Sequence, residues 1–319
     1  MNIRILHVRF GGGVPEGDGG GSGIIVPMKP ELLLDAQADL GEGPAWDAAA
    51  QTLYWVDIRA GDLHQFDPTS GSDHIFHLGQ SIGCLAPRRA GGLVLALQGR
   101  FATLGPSAGV SSLRPIVHPE PHQPGNRFND GKCDPAGRFL AGTMDDAEER
   151  PSGSLYSLSP DGTFKTLLSG LRISNGLAWS PDGGTFYHID TPTRRVTAYD
   201  YDQASGEIAA PRLAVQVPPE LGWPDGMTSD TEGKLWIAMW GGARLTRWDP
   251  AAGKLLETIP FPALNVSSCA FGGPELTDLY ITSARKEMTA AQLAEYPLSG
   301  GLFRLRTKVR GMPTFSFAG

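Results

Sequence analysis

Short apolar runs recur along the chain at a nearly constant interval. Six runs begin at residues 53, 93, 139, 186, 235 and 279, so neighbouring starts lie 40, 46, 47, 49 and 44 residues apart. Most follow a turn rich in Asp, Pro and Gly, a composition that favours β-hairpins because Gly and Asp tolerate positive φ and Pro presets φ. Repeats of this length with several short strands are typical of propeller blades. The pattern predicts an all-β, six-bladed β-propeller, and its regularity disfavours the alternative of paired β-sandwiches.

One position of the repeat carries a polar side chain in four of the six repeats. Ten or eleven residues before an apolar run stand Glu42, Asn129, Asn175 and Asp225. If the repeats stack radially, equivalent positions converge on one axis, where four oxygen-bearing side chains would form a central metal site. Asn-Gly and Asp-Gly are also ordinary turn dipeptides. The shared offset favours the site over that alternative, since Glu42 is no turn former.

The residue types at this offset indicate which ion the site would hold. Carboxylate and amide oxygens without Cys or His suit hard divalent ions such as Ca²⁺, Mg²⁺ or Mn²⁺. Zn²⁺ and Fe(II) stay open, because they also accept carboxylates. The second and sixth repeats offer weaker ligands around Cys84 and Ser268. The seven His lie off this offset and are expected on the surface or in packing.

Charge, hydropathy and cysteine content narrow the class of protein. A net charge of −7 over 319 residues, with no Lys/Arg run, argues against a nucleic-acid-binding surface. No apolar stretch approaches the ~18 residues that a membrane-spanning helix needs. The three Cys are far apart and odd in number, which favours buried free thiols and a cytoplasmic location over a disulfide framework. Oligomeric state stays open.

The chain is predicted to divide into two segments. Residues 1–28 contain a Gly-rich, low-complexity stretch without the apolar core of a signal peptide, and are expected to be a flexible extension. Residues 29–319 are expected to form the propeller. The strand-like run at 31–35 is expected to complete the last blade and close the ring, because closure removes exposed sheet edges.

Several motifs, taken together, resemble a known family. They are LGEGPAW at 40–46, NRFNDGKCDPAGR at 126–138, AGTM at 141–144, GSLY at 153–156, ISNGL at 173–177 and PDGM at 224–227. Over roughly residues 31–310 the chain resembles the senescence marker protein/gluconolactonase/luciferin-regenerating enzyme family of six-bladed propellers. The late segments TSARKEM at 282–288 and YPLSGGLF at 296–303 are most similar to the bacterial sugar-lactonase branch, which includes xylonolactonase- and arabinonolactonase-type enzymes.

The resemblance implies roles for individual residues. Glu42, Asn175 and Asp225 would ligate one divalent metal ion in the central channel, and Asp225 would also be the general base. Asn129 would contact the substrate near the metal, and Arg127 would bind sugar hydroxyls, although a structural donor role for Arg127 is the alternative. Animal members carry an acidic substrate-binding residue soon after the Gly-Thr-Met motif. Direct counting places Ala147 there, flanked by Asp145, Asp146 and Glu148, so this subsite is undetermined.

These expectations combine into a functional hypothesis. The chain is expected to hydrolyse a sugar-acid lactone to its aldonate in carbohydrate catabolism, with a divalent ion polarising the ester carbonyl. The alternatives are a non-catalytic metal-binding platform and a hydrolase of other esters or lactones. Of the Trp residues near the ligand positions, Trp223 is the candidate wall for a sugar ring, and inter-blade packing is expected of Trp46, Trp179, Trp236 and Trp240.

Overall fold

The computed structural model describes residues 28–106 and 110–319, which form six four-stranded antiparallel sheets around a central channel. This confirms the predicted all-β, six-bladed propeller. The strands are β1 (Glu31–Leu34), β2 (Gly41–Asp47), β3 (Thr52–Asp57), β4 (Asp62–Asp67), β5 (Ser72–His77), β6 (Ile82–Pro87), β7 (Leu93–Leu97), β8 (Arg100–Leu104), β9 (Arg114–Val117), β10 (Asn126–Cys133), β11 (Phe139–Asp145), β12 (Gly153–Leu158), β13 (Phe164–Leu171), β14 (Ser174–Trp179), β15 (Thr185–Asp190), β16 (Arg195–Tyr201), β17 (Ile208–Gln216), β18 (Trp223–Ser229), β19 (Leu235–Trp240), β20 (Arg244–Asp249), β21 (Lys254–Pro260), β22 (Asn265–Gly272), β23 (Asp278–Ala284) and β24 (Leu302–Arg306).

Each blade is a run of consecutive strands. Blades one to five are β2–β5, β6–β9, β10–β13, β14–β17 and β18–β21, and blade six joins β22, β23 and β24 to β1. The six apolar runs of the sequence coincide with the second strands of the blades. In the described part of the chain, the only α-helix is α1 (Ala290–Glu295), which begins at a capping box formed by Thr289 and Gln292. No helix in that part is long and apolar enough to cross a membrane.

The ring closes between the two ends of the propeller. Strand β1 pairs with β24, so a strand from the start of the chain completes blade six, as the sequence predicts. Glu31 and Arg304 face each other across this pair and form an ion pair at 2.8 Å. The prediction for residues 1–28 falls almost wholly outside the described residues, and the division at residue 28 stays a prediction.

Burial falls from the channel to the rim of each blade. The innermost strands are buried along almost their whole length, whereas outer strands such as β5 and β21 alternate exposed and covered residues. A strand covered on both faces is expected to be buried continuously. A strand with one face in water is expected to alternate buried and exposed residues. The innermost strands therefore form a rigid lining on which side chains can be held precisely.

Aromatic residues fill the wedges between blades. Trp46 stacks on Tyr280 with ring centroids 5.7 Å apart, and Trp236 meets Phe271 edge-on at 6.0 Å. Trp179 is buried with Leu140 and Leu155 of blade three, and Trp240 packs against a cluster formed by residues of other blades. All four Trp residues assigned to packing therefore contact a neighbouring blade. The three Cys are buried free thiols, as predicted.

Candidate metal centre and substrate cavity

A β-bulge or similar irregularity interrupts every innermost strand at the predicted ligand offset. The register shifts lie between Glu42 and Ala45 in β2, Ile82 and Cys84 in β6, Phe128 and Gly131 in β10, Asn175 and Leu177 in β14, Pro224 and Met227 in β18, and Val266 and Ser268 in β22. A bulge inserts a residue into the strand and redirects neighbouring side chains. The common sequence offset is thus a common backbone feature, repeated six times around one axis.

Neighbouring innermost strands approach so closely at the bulges that glycine is required. A Cβ on Gly226 would lie 2.1 Å from Oγ of Ser268 in the next blade. A Cβ on Gly83 would lie 2.5 Å from the backbone carbon of Phe128. The Gly of the Asp225-Gly226 dipeptide therefore serves inter-blade contact, which is a different role from the turn that the dipeptide alone suggests.

The redirected side chains surround one cavity of about 380 Å³ at the end of the channel where the innermost strands begin. This volume falls in the range of small-molecule sites. Glu42, Asn129, Asn175 and Asp225 all line it, together with Arg127. Cys84 and Ser268, their counterparts in blades two and six, do not. The structure thus brings together the five residues predicted as metal ligands, base or substrate contacts, while their individual roles remain predictions.

Two buried carboxylates share this cavity. Glu42 and Asp225 are 4% and 5% exposed, and within the described residues nothing donates a hydrogen bond to the Asp225 carboxylate. Burial raises the pKa of Glu42 to about 8, with a further contribution from the charge of Asp130. Burial and then the charge of Glu42 raise the pKa of Asp225. Without a cation, the site therefore resists ionisation of both carboxyls.

A chain of hydrogen bonds fixes the amides beside these carboxylates. Arg127 Nη1 donates to Asn129 Oδ1 (2.7 Å), and Asn129 Nδ2 donates to Asn175 Oδ1 (2.9 Å). Asn175 Nδ2 donates to Thr191 Oγ1 (2.8 Å), which in turn donates to the carbonyl oxygen of Pro224 (2.8 Å). The chain links blades three, four and five and holds the Asn175 oxygen in place. A carbonyl oxygen has two lone pairs, so Oδ1 keeps one for a further partner.

This set of side chains fits a hard divalent cation. Two carboxylates would balance its charge, and the amide oxygen of Asn175 adds a neutral ligand. In the described ranges, no group of three or more His, Cys, Asp or Glu side chains has the spacing of a metal site. The fit accordingly depends on the mixed set of Glu42, Asp225 and Asn175.

Three further residues, Glu148, Lys286 and Thr191, also line the cavity. Glu148 takes its place on the wall, whereas Ala147, the position reached by direct counting, does not. Glu148 has a positive φ of 60°, a local backbone turn that motif counting cannot anticipate. Lys286 and Thr191 were missed because no repeat position or motif marks them.

Two Trp residues contribute to the cavity wall. Trp223 is 41% exposed, and the guanidinium of Arg194 lies 3.5 Å from the centroid of its ring. This cation–π contact helps to hold the Trp223 ring in place at the mouth of the cavity. Trp223 lines the cavity, and its contact with Arg194 also joins blade five to blade four, so its role as a wall for a sugar ring stays a prediction. Trp240, expected to pack between blades, lies on the cavity wall as well.

Comparison with known proteins identifies the family of this fold and site. The model of the SMP-30/gluconolactonase/LRE-like region matches residues 40–285, which include all the predicted site residues. The chain belongs to this family.

Members of the SMP-30/gluconolactonase/LRE-like family align with nearly the whole chain. Regucalcin of Danio rerio is 38% identical over 92% of this chain and 99% of its own. The Bacillus subtilis protein YvrE, provisionally named a sugar lactone lactonase, is 38% identical with the same coverage. The structure of a calcium-binding protein, regucalcin, from Agrobacterium tumefaciens superposes with a TM-score of 0.86 and 29% identity, covering 91% of this chain and 98% of its own. The family resemblance inferred from the motifs is confirmed.

Proposed function

We propose that the protein hydrolyses the lactone of a sugar acid to the open-chain aldonate with the help of one divalent metal ion. The observation that carries this proposal is the pair of buried carboxylates, Glu42 and Asp225, which share a cavity of about 380 Å³ with a fixed amide oxygen. Family membership and the lactonase name of a relative that is 38% identical support it.

Glu42, Asp225 and Asn175 are the residues that would hold the ion. When bound, the ion supplies Lewis acidity that polarises the ester carbonyl. Ca²⁺, Mg²⁺, Mn²⁺, Zn²⁺ and Fe(II) are all compatible with these oxygen ligands. The calcium-binding description of the Agrobacterium tumefaciens relative supports Ca²⁺ as the first ion to test.

Asp225 is proposed to act as general base as well as ligand. Its carboxylate faces the cavity and, among the described residues, receives no hydrogen bond that would occupy it. In the reaction, water oxygen bonds to the lactone carbonyl carbon while Asp225 accepts a water proton. The bond from that carbon to the ring oxygen then breaks, and the proton passes to the departing oxygen. The resulting aldonic acid releases one proton, so hydrolysis consumes alkali.

Arg127 and Asn129 are proposed to orient the sugar. Arg127 Nε is held by Asp146 at 2.8 Å, and its Nη1 is shared between Phe128 and Asn129. Its Nη2 has no partner within the described residues and is available for a substrate hydroxyl. Trp223 offers an aromatic surface for the ring face. Fixed contacts of this kind contribute to rate by orientation.

A titration of released acid tests the proposal. Glucono-, xylono-, arabinono- and galactonolactones are followed at constant pH with enzyme stripped by EDTA and then resupplied with Ca²⁺, Mg²⁺, Mn²⁺, Zn²⁺ or Fe(II). At least one lactone is expected to open faster than its spontaneous rate, and only with metal. If no combination of lactone and metal ion shows acceleration, the result would favour the alternative, a non-catalytic metal-binding propeller. The lactone δ-valerolactone, which carries no hydroxyl, is added to the panel, and acceleration of that lactone alone would favour a hydrolase of other esters.

A cytoplasmic location is part of the proposal and rests on the three buried free thiols, which suit a reducing compartment.

A further inference from the structure

A buried carboxylate packs against two strands that line the cavity but does not line the cavity itself. Glu120 is 8% exposed and lies in the connection from β9 of blade two to β10 of blade three. It is absent from the cavity wall, to which β10 and β11 contribute Arg127, Asn129 and Met144. The proposed reaction therefore assigns no role to this buried acid.

Three neutral donors surround the Glu120 carboxylate. Asn126 Nδ2 donates to Oε2 (2.9 Å), and Thr143 Oγ1 and the Tyr156 hydroxyl both donate to Oε1 (2.8 Å each). These donors lie on β10, β11 and β12, so one carboxylate ties together three adjacent strands of blade three. A Gln amide in this place would face the Asn126 amide or force both hydroxyls to turn, because it carries a donor as well as an acceptor. The position therefore favours a side chain that only accepts hydrogen bonds.

The segment that Glu120 holds is also joined to the connection between β11 and β12. The amide of Asp146 donates to the carbonyl oxygen of Gly125 (2.9 Å). At the other end of the connection, Ser152 Oγ donates to Asn126 Oδ1 (2.7 Å), and Asn126 Nδ2 donates to the carbonyl oxygen of Ser152 (3.0 Å). Both ends of the β11–β12 connection are thus fixed to residues 120–126.

The position of the Arg127 guanidinium depends on this frame. Arg127 is buried, and its Nε donates to Asp146 Oδ1 at 2.8 Å. The Asp146 side chain, however, is 62% exposed, and an exposed partner holds a geometry weakly because solvent and side-chain entropy compete with the ion pair. The backbone supplies the missing constraint, since Asn126 precedes Arg127 in β10 and Gly125 holds the amide of Asp146.

We propose that Glu120 is a positioning residue that sets the orientation of the Arg127 guanidinium in the cavity. It acts through Asn126, at the start of the strand that carries Arg127, and through the neighbouring Gly125, which holds the backbone of Asp146. The frame leaves Arg127 Nη2 without a partner within the described residues, in the cavity that Arg127 lines. The placement of the guanidinium is independent of the reaction, whereas its kinetic consequence rests on the lactonase function proposed above.

NMR of side-chain N–H groups tests the placement without any substrate. Glu120→Gln keeps the length and shape of the side chain but introduces a donor. In the Ca²⁺-loaded variant, the Arg127 Nε–H resonance, assigned by its loss in Arg127→Lys, is expected to shift and to exchange with water faster. Tyr201→Phe, which loses a buried tyrosine–carboxylate hydrogen bond to Asp134 outside the cavity, is the matched control and should leave that resonance unchanged. An unchanged Arg127 resonance in Glu120→Gln would overturn the proposal.

A double-mutant cycle tests whether Glu120 acts through Arg127. In Glu120→Gln, kcat/KM for gluconolactone is expected to fall about 10- to 100-fold, because a small displacement of an orienting group is costly. The dissociation constant for Ca²⁺ should stay within about twofold, since no proposed ligand is changed. In an Arg127→Met background, the same substitution should change kcat/KM by less than about twofold, because the group that it positions is absent. Equal losses in both backgrounds would mean that Glu120 acts by another route, and would overturn the proposal.

The two measurements separate failure of this proposal from failure of the lactonase function. A shifted Arg127 resonance in a protein that opens no lactone would retire the lactonase function and keep the role of Glu120. If Glu120→Gln does not fold, Tyr156→Phe removes one of the three donors to the carboxylate and gives the same test with a smaller expected shift. An unchanged Arg127 resonance in that variant would then overturn the role of Glu120.

Discussion

The two ends of the channel are made from the same six strands and yet differ in chemistry. Where the strands begin, four bulge residues present carboxylate and amide oxygens to a cavity of about 380 Å³. Where they end, a cavity of about 130 Å³ is lined mainly by apolar side chains such as Leu85 and Phe271. Residues 312–315 near the carboxyl terminus lie against this second cavity. The same six strands thus form two different ends. We call the end with the polar cavity the reactive end, and the end against which residues 312–315 lie the covered end.

The carboxyl-terminal segment is fixed at the covered end by backbone hydrogen bonds. Phe317 is buried, its amide donates to the carbonyl oxygen of Pro87 (2.8 Å), and its carbonyl oxygen accepts from the amide of Arg89 (2.8 Å). These contacts hold the end of the chain against blade two. We infer that residues at the reactive end determine metal binding and activity, whereas residues at the covered end contribute mainly to the free energy of unfolding. Four predictions test this division.

Removing the proposed base should have the largest effect on the reactive end. Asp225→Asn keeps an oxygen but loses a charge and a proton acceptor, so kcat should fall by roughly 10²–10⁴-fold. Saturating metal should not restore it, because mass action refills the site but supplies no base. Asn175→Asp, which keeps an oxygen and adds a charge, is the control and should retain measurable turnover. Full rescue of Asp225→Asn by added metal would mean that Asp225 acts only as a metal ligand and not as the general base.

Neutralising the other carboxylate should weaken metal binding. Glu42→Gln keeps the side-chain shape but removes half the formal charge of the proposed ligand set. The dissociation constant should rise on the order of 10–100-fold, a range seen even for groups that only support ligands. Calorimetry with Ca²⁺ and Mn²⁺ on stripped protein measures it. An unchanged constant would remove Glu42 from the ligand set.

The same substitution should change how stability depends on pH in metal-free protein. The folded-state pKa of Glu42, about 8, lies above the ordinary value of 4.5. The contribution of Glu42 to the free energy of unfolding is therefore fully present below pH 4.5 and is lost as pH rises through about 8. Urea unfolding in EDTA between these values should show a steeper fall for wild type than for Glu42→Gln. Parallel curves would mean that Glu42 ionises normally in the fold.

A change at the covered end should have the smallest effect on the site. Phe317→Ala should lower the free energy of unfolding by about 3–5 kcal/mol, the usual range for deleting a buried aromatic ring. Metal affinity should stay within about twofold, because effects at well-separated sites are nearly independent. Denaturant unfolding and metal calorimetry on one preparation measure both quantities. A parallel loss of affinity would show that the two ends are coupled.

Some features of the fold and the cavity could be predicted from the sequence and others could not, and the reasons are physical. The blade repeat and the four bulge residues were visible because every repeat places them at the same offset from an apolar strand. Direct counting reached Ala147 and not its neighbour Glu148, because the loop after β11 follows no repeat that fixes the offset of a side chain. Lys286 and Thr191 lie in connections between strands, where no repeat constrains the backbone. Trp240 ends an apolar strand, and only the structure shows that its ring reaches the cavity.

The stoichiometry of metal-restored activity decides whether one ion, bound with the help of Glu42, is required for hydrolysis. Stripped protein is titrated with Ca²⁺ or the most effective ion, while gluconolactone opening is followed by alkali uptake. The account predicts a rate that starts at the spontaneous level, rises with added metal and saturates at one ion per chain in the wild type. It also predicts that the Glu42→Gln protein saturates only at higher metal concentration. Full activity in stripped wild-type protein, or saturation of both proteins at the same metal concentration, would contradict the account.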